Sequence, residues 1–195
     1  MNKVAVVTGG AGGIGQAVAD RLTKNNYAVV ILDVNDEAAK PVVADFHKRG
    51  VELPFHRADL TQEAQVQAAF EKITAEFHRI DVLVNVAGGS MHRHKFEEFP
   101  LKNWQAVIDA NLTSTFLCCR AVVGTMKNQK SGAIVNISSD IAFSGSESLG
   151  VFSGEGWCSW SDENAGARAR DFWRAGQRRR PGSNFDSTRA CRLLG

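Results

Sequence analysis

Residues 4–15, VAVVTGGAGGIG, decide the fold of this 195-residue chain. Val4-Ala5-Val6-Val7 reads as a buried strand, and a glycine-rich turn follows it directly. The turn runs into a helical pattern from Ile14 to Leu22, with Ala17, Val18 and Leu22 at helical spacing. Glycines at 9, 10, 12, 13 and 15 permit positive φ and remove side chains where backbone must approach a ligand closely. Unpaired N–H groups at the new helix's start, together with its dipole, suit a phosphate or diphosphate. So dense a glycine cluster costs conformational entropy that a bare turn would not repay. The stretch therefore reads as a dinucleotide site at a first βα turn. A tight strand-to-helix turn without a ligand is the competing reading.

Working outward, strand and helix alternate through the first 140 residues. A strand over Ala28–Leu32 ends at Asp33, and a helix over about Asp36–Lys48 follows, interrupted early by Pro41. Glu52–Arg57 reads as a third strand ending at Asp59-Leu60, with a helix from about Gln62 to Phe77. Ile80–Asn85 is a fourth strand, closed by Val86-Ala87-Gly88-Gly89, and a long amphipathic helix runs from about Asn103 to Met126. Ala133–Ser138 is a fifth strand. Strands separated by helices of this length imply an α/β fold, a Rossmann-type doubly wound parallel sheet with helices on both faces. Ligands bind beyond the carboxyl ends of such strands. Asp33, Asp59, Asn85 and Ser138 all fall there in this layout.

Thr8, Gly9, Gly13 and Gly15 form the spacing T-G-x-x-x-G-x-G, which is more specific than a general glycine fingerprint. With Asp59-Leu60, NVAG at 85–88, Asn111 and NISS at 136–139, the chain resembles the classical branch of the short-chain dehydrogenase/reductase family over about residues 3–151. The resemblance implies that Thr8, Gly9, Gly13, Ile14 and Gly15 belong to the diphosphate-binding motif. It implies that Asp33 accepts hydrogen bonds from both ribose hydroxyls, Asp59 and Leu60 flank the adenine, and Asn85, Ala87 and Gly88 pack along the cofactor. A carboxylate at Asp33 repels a 2′-phosphate, and no Arg adjoins Thr8 or Asp33 in the sequence, so NAD(H) is expected rather than NADP(H). Val86 departs from the commoner NNAG. The resemblance further implies an oxidoreductase for small-molecule secondary alcohols and ketones, assembled as a homo-oligomer through the long helix from Asn103.

That family's chemistry uses Asn, Ser, Tyr and Lys together. Asn111 and Ser139 match the first two. The Tyr is expected thirteen residues after the Ser and the Lys four later, but position 152 is Phe and position 156 is Gly. The one tyrosine, Tyr27, precedes the second strand. A phenyl ring has no transferable proton, and loss of a positioned acid–base group costs about 10²–10⁴-fold. Activity is therefore expected to be lost or severely impaired. A non-catalytic dinucleotide-binding module, or a module whose basic tail binds polyanions, is the alternative.

The tail offers a cause. The codons of residues 151–157, read with a one-base displacement, can spell Tyr-Ser-Pro-Ala-Lys-Gly-Gly, and Ser161–Arg168 and Arg174–Ser183 in that frame permit the family's next helix and strand. Each tail Trp, fixed as TGG, becomes Gly there. Residues 1–151 carry 15 Lys+Arg against 16 Asp+Glu, whereas residues 152–195 carry 8 Arg, no Lys and 5 acids. The last Ile is Ile141, the last Val is Val151, and three of the four Trp lie beyond. The expected organisation is a dinucleotide-binding domain over 1–151, left incomplete at its C-terminal side. An aberrant, disordered or non-native tail spans 152–195. Ala133–Ser138 then becomes an apolar sheet edge.

The remaining signals are weaker. Hydrophobic content of 44% and charged content of 23% are ordinary for a globular domain. The apolar start is too short for a signal h-region, no run approaches membrane-spanning length, and Cys118 and Cys119 sit adjacent on a helix, so a reduced cytoplasmic setting is expected. His92-Arg93-His94 has no Cys or acidic partner at metal-ligand spacing and reads as a solvated loop. Frame displacement already accounts for the arginines of RARDFWRAGQRRRPG, so no metal and no specific nucleic-acid partner is expected.

Overall fold

A computed structural model describes residues 2–89 and 96–138. The expected alternation is present as β1 (Val4–Thr8), α1 (Gly13–Lys24), β2 (Ala28–Asp33), α2 (Asp36–Lys48), β3 (Phe55–Arg57), α3 (Glu63–Phe77) and β4 (Val82–Asn85). A 3₁₀ turn at Phe96–Glu98 precedes α4 (Leu101–Ile108), a π-helical turn (Asp109–Thr113), α5 (Ser114–Gln129) and β5 (Ala133–Asn136). The five strands pair in parallel in the order β3-β2-β1-β4-β5. This is a Rossmann-type sheet. Its direction of winding reverses between β1 and β4, the switch point beside which ligands bind in such sheets.

Apolar runs in the central strands fill both faces, as parallel sheets buried on two sides require. Ala5, Val7, Val29, Ile31 and Val84 pack with Ala19 and Leu22 of α1 and Val42 and Phe46 of α2. Val6, Val30, Leu32 and Leu83 pack on the other face with Val66, Phe70 and Ile73 of α3 and Leu117, Cys118 and Val122 of α5. Cys118 and Cys119 form no disulfide with each other; burial pushes the Cys118 thiol up to about 12, which leaves it inert.

Four expectations need correction. Pro41 does not interrupt α2: it removes one amide from the ladder, while Val42 and Phe46 beyond it are buried against the sheet and carry the helix on. The third strand begins at Phe55 rather than Glu52, because Pro54 has no amide to donate, although its carbonyl accepts from Ile31 N at 2.9 Å. The helix expected from Asn103 to Met126 runs from Leu101 to Gln129 and is interrupted by the π-helical turn. Those 29 residues are long and apolar enough, by length and composition, to cross a membrane, contrary to the reading from sequence. Leu117, Cys118, Val122 and Met126 instead face the core, which identifies the run as the sheet's central covering helix.

Candidate functional site

The carboxyl ends of β1, β2, β3 and β4 bring together four sequence motifs. At the end of β1 the chain turns at Gly9, whose φ of 65° suits glycine. A Cβ there would lie 2.9 Å from the Ala87 backbone, so the turn can seat against the NVAG segment only without one. Gly12 N donates to Gly9 O at 3.1 Å, and Gly12 caps α1 without a side chain. A Cβ at Gly15 would fall 2.2 Å from Gly9 O, so the first turn of α1 lies directly on the loop.

Gly13 differs from its neighbours. A Cβ on it would meet nothing within 4 Å, and its φ is not positive. Neither packing among the described residues nor backbone conformation explains glycine at this position. Open space beside the amides of Gly13, Ile14 and Gly15, which precede the α1 hydrogen-bond ladder, is what a diphosphate requires. Ile14 is 60% exposed at the same place. The residues present therefore fit a dinucleotide.

Thr8 serves this arrangement from beneath. It is 1% exposed, and its Oγ1 accepts from Val86 N at 3.0 Å and Ala87 N at 3.1 Å. Its hydroxyl ties the glycine turn to the end of β4 and is not presented to a ligand. Asp33 accepts from Ala11 N through Oδ2 at 3.0 Å and from Asn35 N through Oδ1 at 3.0 Å. The carboxylate thus stands at the turn, held by two amides. An arginine absent from its sequence neighbourhood comes close through the fold, since Arg57 is its register partner across β2 and β3.

Asp59 caps its own loop, with Oδ1 accepting from Thr61 N at 3.0 Å and Thr61 Oγ1 at 2.7 Å. Leu60 is 7% exposed and packs into the core with Val66 and Phe70, so its side chain offers little surface to a base. Asn85 Nδ2 donates to Asn136 Oδ1 at 2.8 Å and to Cys119 Sγ at 3.4 Å, which links β4 to β5 and α5. Its buried Oδ1 has no partner among the described residues.

Asn111 sits in the π-helical turn and reaches back to the loop after β4. Its Oδ1 accepts from Gly89 N at 2.8 Å, while Nδ2 donates to Gly89 O at 3.1 Å and Val107 O at 2.9 Å. A Cβ on Gly88 would lie 2.4 Å from Asn111 Oδ1, so the fit requires glycine there. Asn111 and the NVAG end are thereby joined into one unit. Ser139, Phe152, residues 92–94 and the tail lie outside the described residues.

Sequence reasoning missed the pair that fastens the sheet's opposite end. Asp81 accepts from Arg79 Nε at 2.8 Å, Arg79 Nη2 at 2.6 Å and Val4 N at 2.8 Å. The Arg79 guanidinium, assisted by the Val4 amide, holds the Asp81 carboxyl below its ordinary value. An Arg and an Asp two residues apart, just before an apolar strand, were the available signal.

Comparison with known proteins agrees with this geometry. The profile of the short chain dehydrogenase family matches residues 3–154. The chain belongs to that family. It is 39% identical over 150 residues to the 3-oxoacyl-acyl-carrier-protein reductase FabG of Chlamydia muridarum (strain MoPn / Nigg), covering 75% of this chain and 59% of the relative. It is 40% identical over 141 residues to D-threitol dehydrogenase of Mycolicibacterium smegmatis (strain ATCC 700084 / mc(2)155), covering 72% and 54% respectively. The chain thus spans little more than half the length of these curated relatives. The crystal structure of NAD+-bound xylitol dehydrogenase is similar at a TM-score of 0.75 and 32% identity, over 79% of this chain and 60% of that one. A metagenomic short-chain oxidoreductase in complex with NADP is similar at a TM-score of 0.67 and 34% identity, over 70% and 62%. The described fold is that of an oxidoreductase family whose members bind nicotinamide dinucleotides.

Proposed function

We propose that this chain carries the coenzyme-binding part of an NAD(H)-dependent oxidoreductase for secondary alcohols and ketones, and that it binds coenzyme without turning substrate over. The open space over Gly13 carries this reading, because nothing among the described residues accounts for a missing side chain there. Gly9, Gly13, Ile14 and Gly15 would hold the diphosphate through backbone amides, and Asp33 would accept the ribose hydroxyls. Asp59, Asn85, Ala87 and Gly88 would border the rest of the cleft, with Leu60 and Thr8 supporting it from within. The bound nicotinamide supplies or receives the hydride.

The proton is the difficulty. Within this reading Ser139 holds the substrate oxygen and Asn111 anchors a water on the proton path. Phe152 stands where a tyrosine would transfer the proton and Gly156 where a lysine would lower its pKa. Residues from about Val151 onward are read as an out-of-frame version of the family's C-terminal part. The family match ends at residue 154, three residues after the last Val of the sequence, Val151.

Fluorescence titration with NADH, followed by turnover assays on a panel of alcohols and ketones, tests both halves. Saturable NADH binding without turnover is expected from the chain as it stands, and the gene restored by one base is expected to gain turnover. Saturable binding lost entirely, or rapid turnover by the unaltered chain, would refute the proposal. DNA sequence in which no one-base displacement restores Tyr and Lys would refute the frame argument alone.

A further inference from the structure

Beside the candidate ribose position lies an open depression of about 490 Å³, lined by Val34, Asn35, Asp36, Glu37 and Arg57. Its one cation is Arg57, at the end of β3. In parallel strands, residues in register project from the same face, so Arg57 and Asp33 leave the sheet on one side. The Arg57 side chain is anchored at a single atom. Its Nε donates to Val34 O at 3.3 Å and lies 3.7 Å from Asp36 Oδ2. The outer nitrogens, Nη1 and Nη2, have no hydrogen-bond partner among the described residues, and the side chain is 66% exposed.

A guanidinium fixed at Nε with its fork free is suited to a phosphate, which it can grip through two parallel N–H donors. The anchor also prepays part of the side-chain entropy that a surface arginine loses on binding. The Asp33 carboxylate stands one strand away and opposes an added negative charge. Asp33 itself is held by Ala11 N and Asn35 N and cannot swing aside without leaving those amides unpaired.

We propose that Arg57 is a latent receptor for a phosphate on the adenosine ribose, suppressed by the charge of Asp33, so that removing this one charge suffices to admit NADP(H). No cation needs to be introduced. This rests on the coenzyme reading above and deepens it by naming the residue that sets how far the site discriminates between the two coenzymes. Asp36 acts on the same guanidinium, and both partners of that pair are well exposed, so its restraint is weak.

The test is a double-mutant cycle on binding, read by NADH and NADPH fluorescence, which needs no catalysis. Asp33→Asn keeps one acceptor for the loop amides and removes the charge. NADPH affinity is expected to rise about tenfold in Asp33→Asn, and Arg57→Leu added to it is expected to cancel most of that gain. In the Asp33→Asn background the NADPH advantage should also shrink as ionic strength rises. Arg57→Leu alone should leave NADH affinity within about threefold, since a half-exposed anchor is worth little. An equal NADPH gain with and without Arg57, or no gain in Asp33→Asn, overturns the proposal. Failure of the unaltered chain to bind NADH overturns the coenzyme reading instead.

Should Asp33→Asn melt too low for titration, adenosine 2′-monophosphate competing with NADH on the otherwise unaltered chain reads the Arg57 contribution alone, against the standing charge of Asp33. Arg57→Leu is expected to weaken that competitor several-fold while adenosine 5′-monophosphate is unchanged. Equal weakening of both competitors, or of neither, contradicts the assignment.

Discussion

At the residue scale, Asp33, Thr8 and Arg57 differ in how far the sequence reveals their contacts. Asp33 was legible as a carboxylate at a strand's end, because apolar runs locate strand ends well. Its bond to Ala11 N was not, since that contact depends on how the glycine turn folds back. Thr8 stood out as a motif member, yet its task is a bridge to Val86 and Ala87 that spans more than seventy residues of sequence. Local pattern carries no information about such a contact. Arg57 neighbours Asp33 across the sheet and not along the chain, so local sequence does not show the pair.

Asp81 provides the sharpest prediction at this scale. Its carboxyl is held low, chiefly by Arg79 and then by Val4 N, so the charged form is favoured by folding. A depressed carboxylate contributes stability that is complete above its unfolded value and is lost as pH falls through the lower folded value. The contribution is therefore present at neutral pH and disappears below about pH 4. Asp81→Asn is expected to cost about 1–3 kcal/mol at pH 7, read from denaturant melts, with the deficit closing toward pH 3. A deficit that stays constant across that range would show that Asp81 acts through packing rather than charge.

At the scale of elements, α-helix and strand identity followed from periodicity, and α2 appears over the residues read from sequence. The interruption of the long helix was not foreseen, although its cause lies in the sequence. Ser114 Oγ donates to Ala110 O at 2.6 Å, Thr115 Oγ1 to Asn111 O at 2.7 Å and Asn111 Nδ2 to Val107 O. Three side chains thus compete for carbonyls within one and a half turns, which favours a widened π-helical turn. That turn places Asn111 against Gly89. Gly88→Ala would press a methyl group on Asn111 Oδ1 at a backbone φ of 146°, and is expected to lower stability by about 1–3 kcal/mol. NADH affinity should fall with it, since the loop and the turn are one unit. A variant with unchanged melting and unchanged NADH affinity would show that the two elements are not coupled.

For the whole molecule, the parallel sheet and the gathering of motifs at its carboxyl end follow from alternating strands and helices, as general topological rules allow. The Rossmann fold was therefore legible. The boundaries were less so: Pro54 shortens β3, and the end of each helix depends on local capping. Among the described residues β5 ends the sheet, with Ile137 37% exposed just beyond it. An apolar edge of this kind favours strand-to-strand aggregation when nothing covers it.

Coenzyme binding by this chain, as proposed, requires the space above the glycine turn. Gly13→Val places a branched side chain in that space, where a Cβ meets no described atom beyond its own helix within 4 Å. NADH titration of this variant beside the unaltered protein, with thermal melts of both, measures the claim directly. The predicted result is an unchanged melting temperature with NADH affinity reduced at least about tenfold, a loss of about 1.4 kcal/mol or more. Equal NADH affinity in the two proteins, with the variant fully folded, would contradict it.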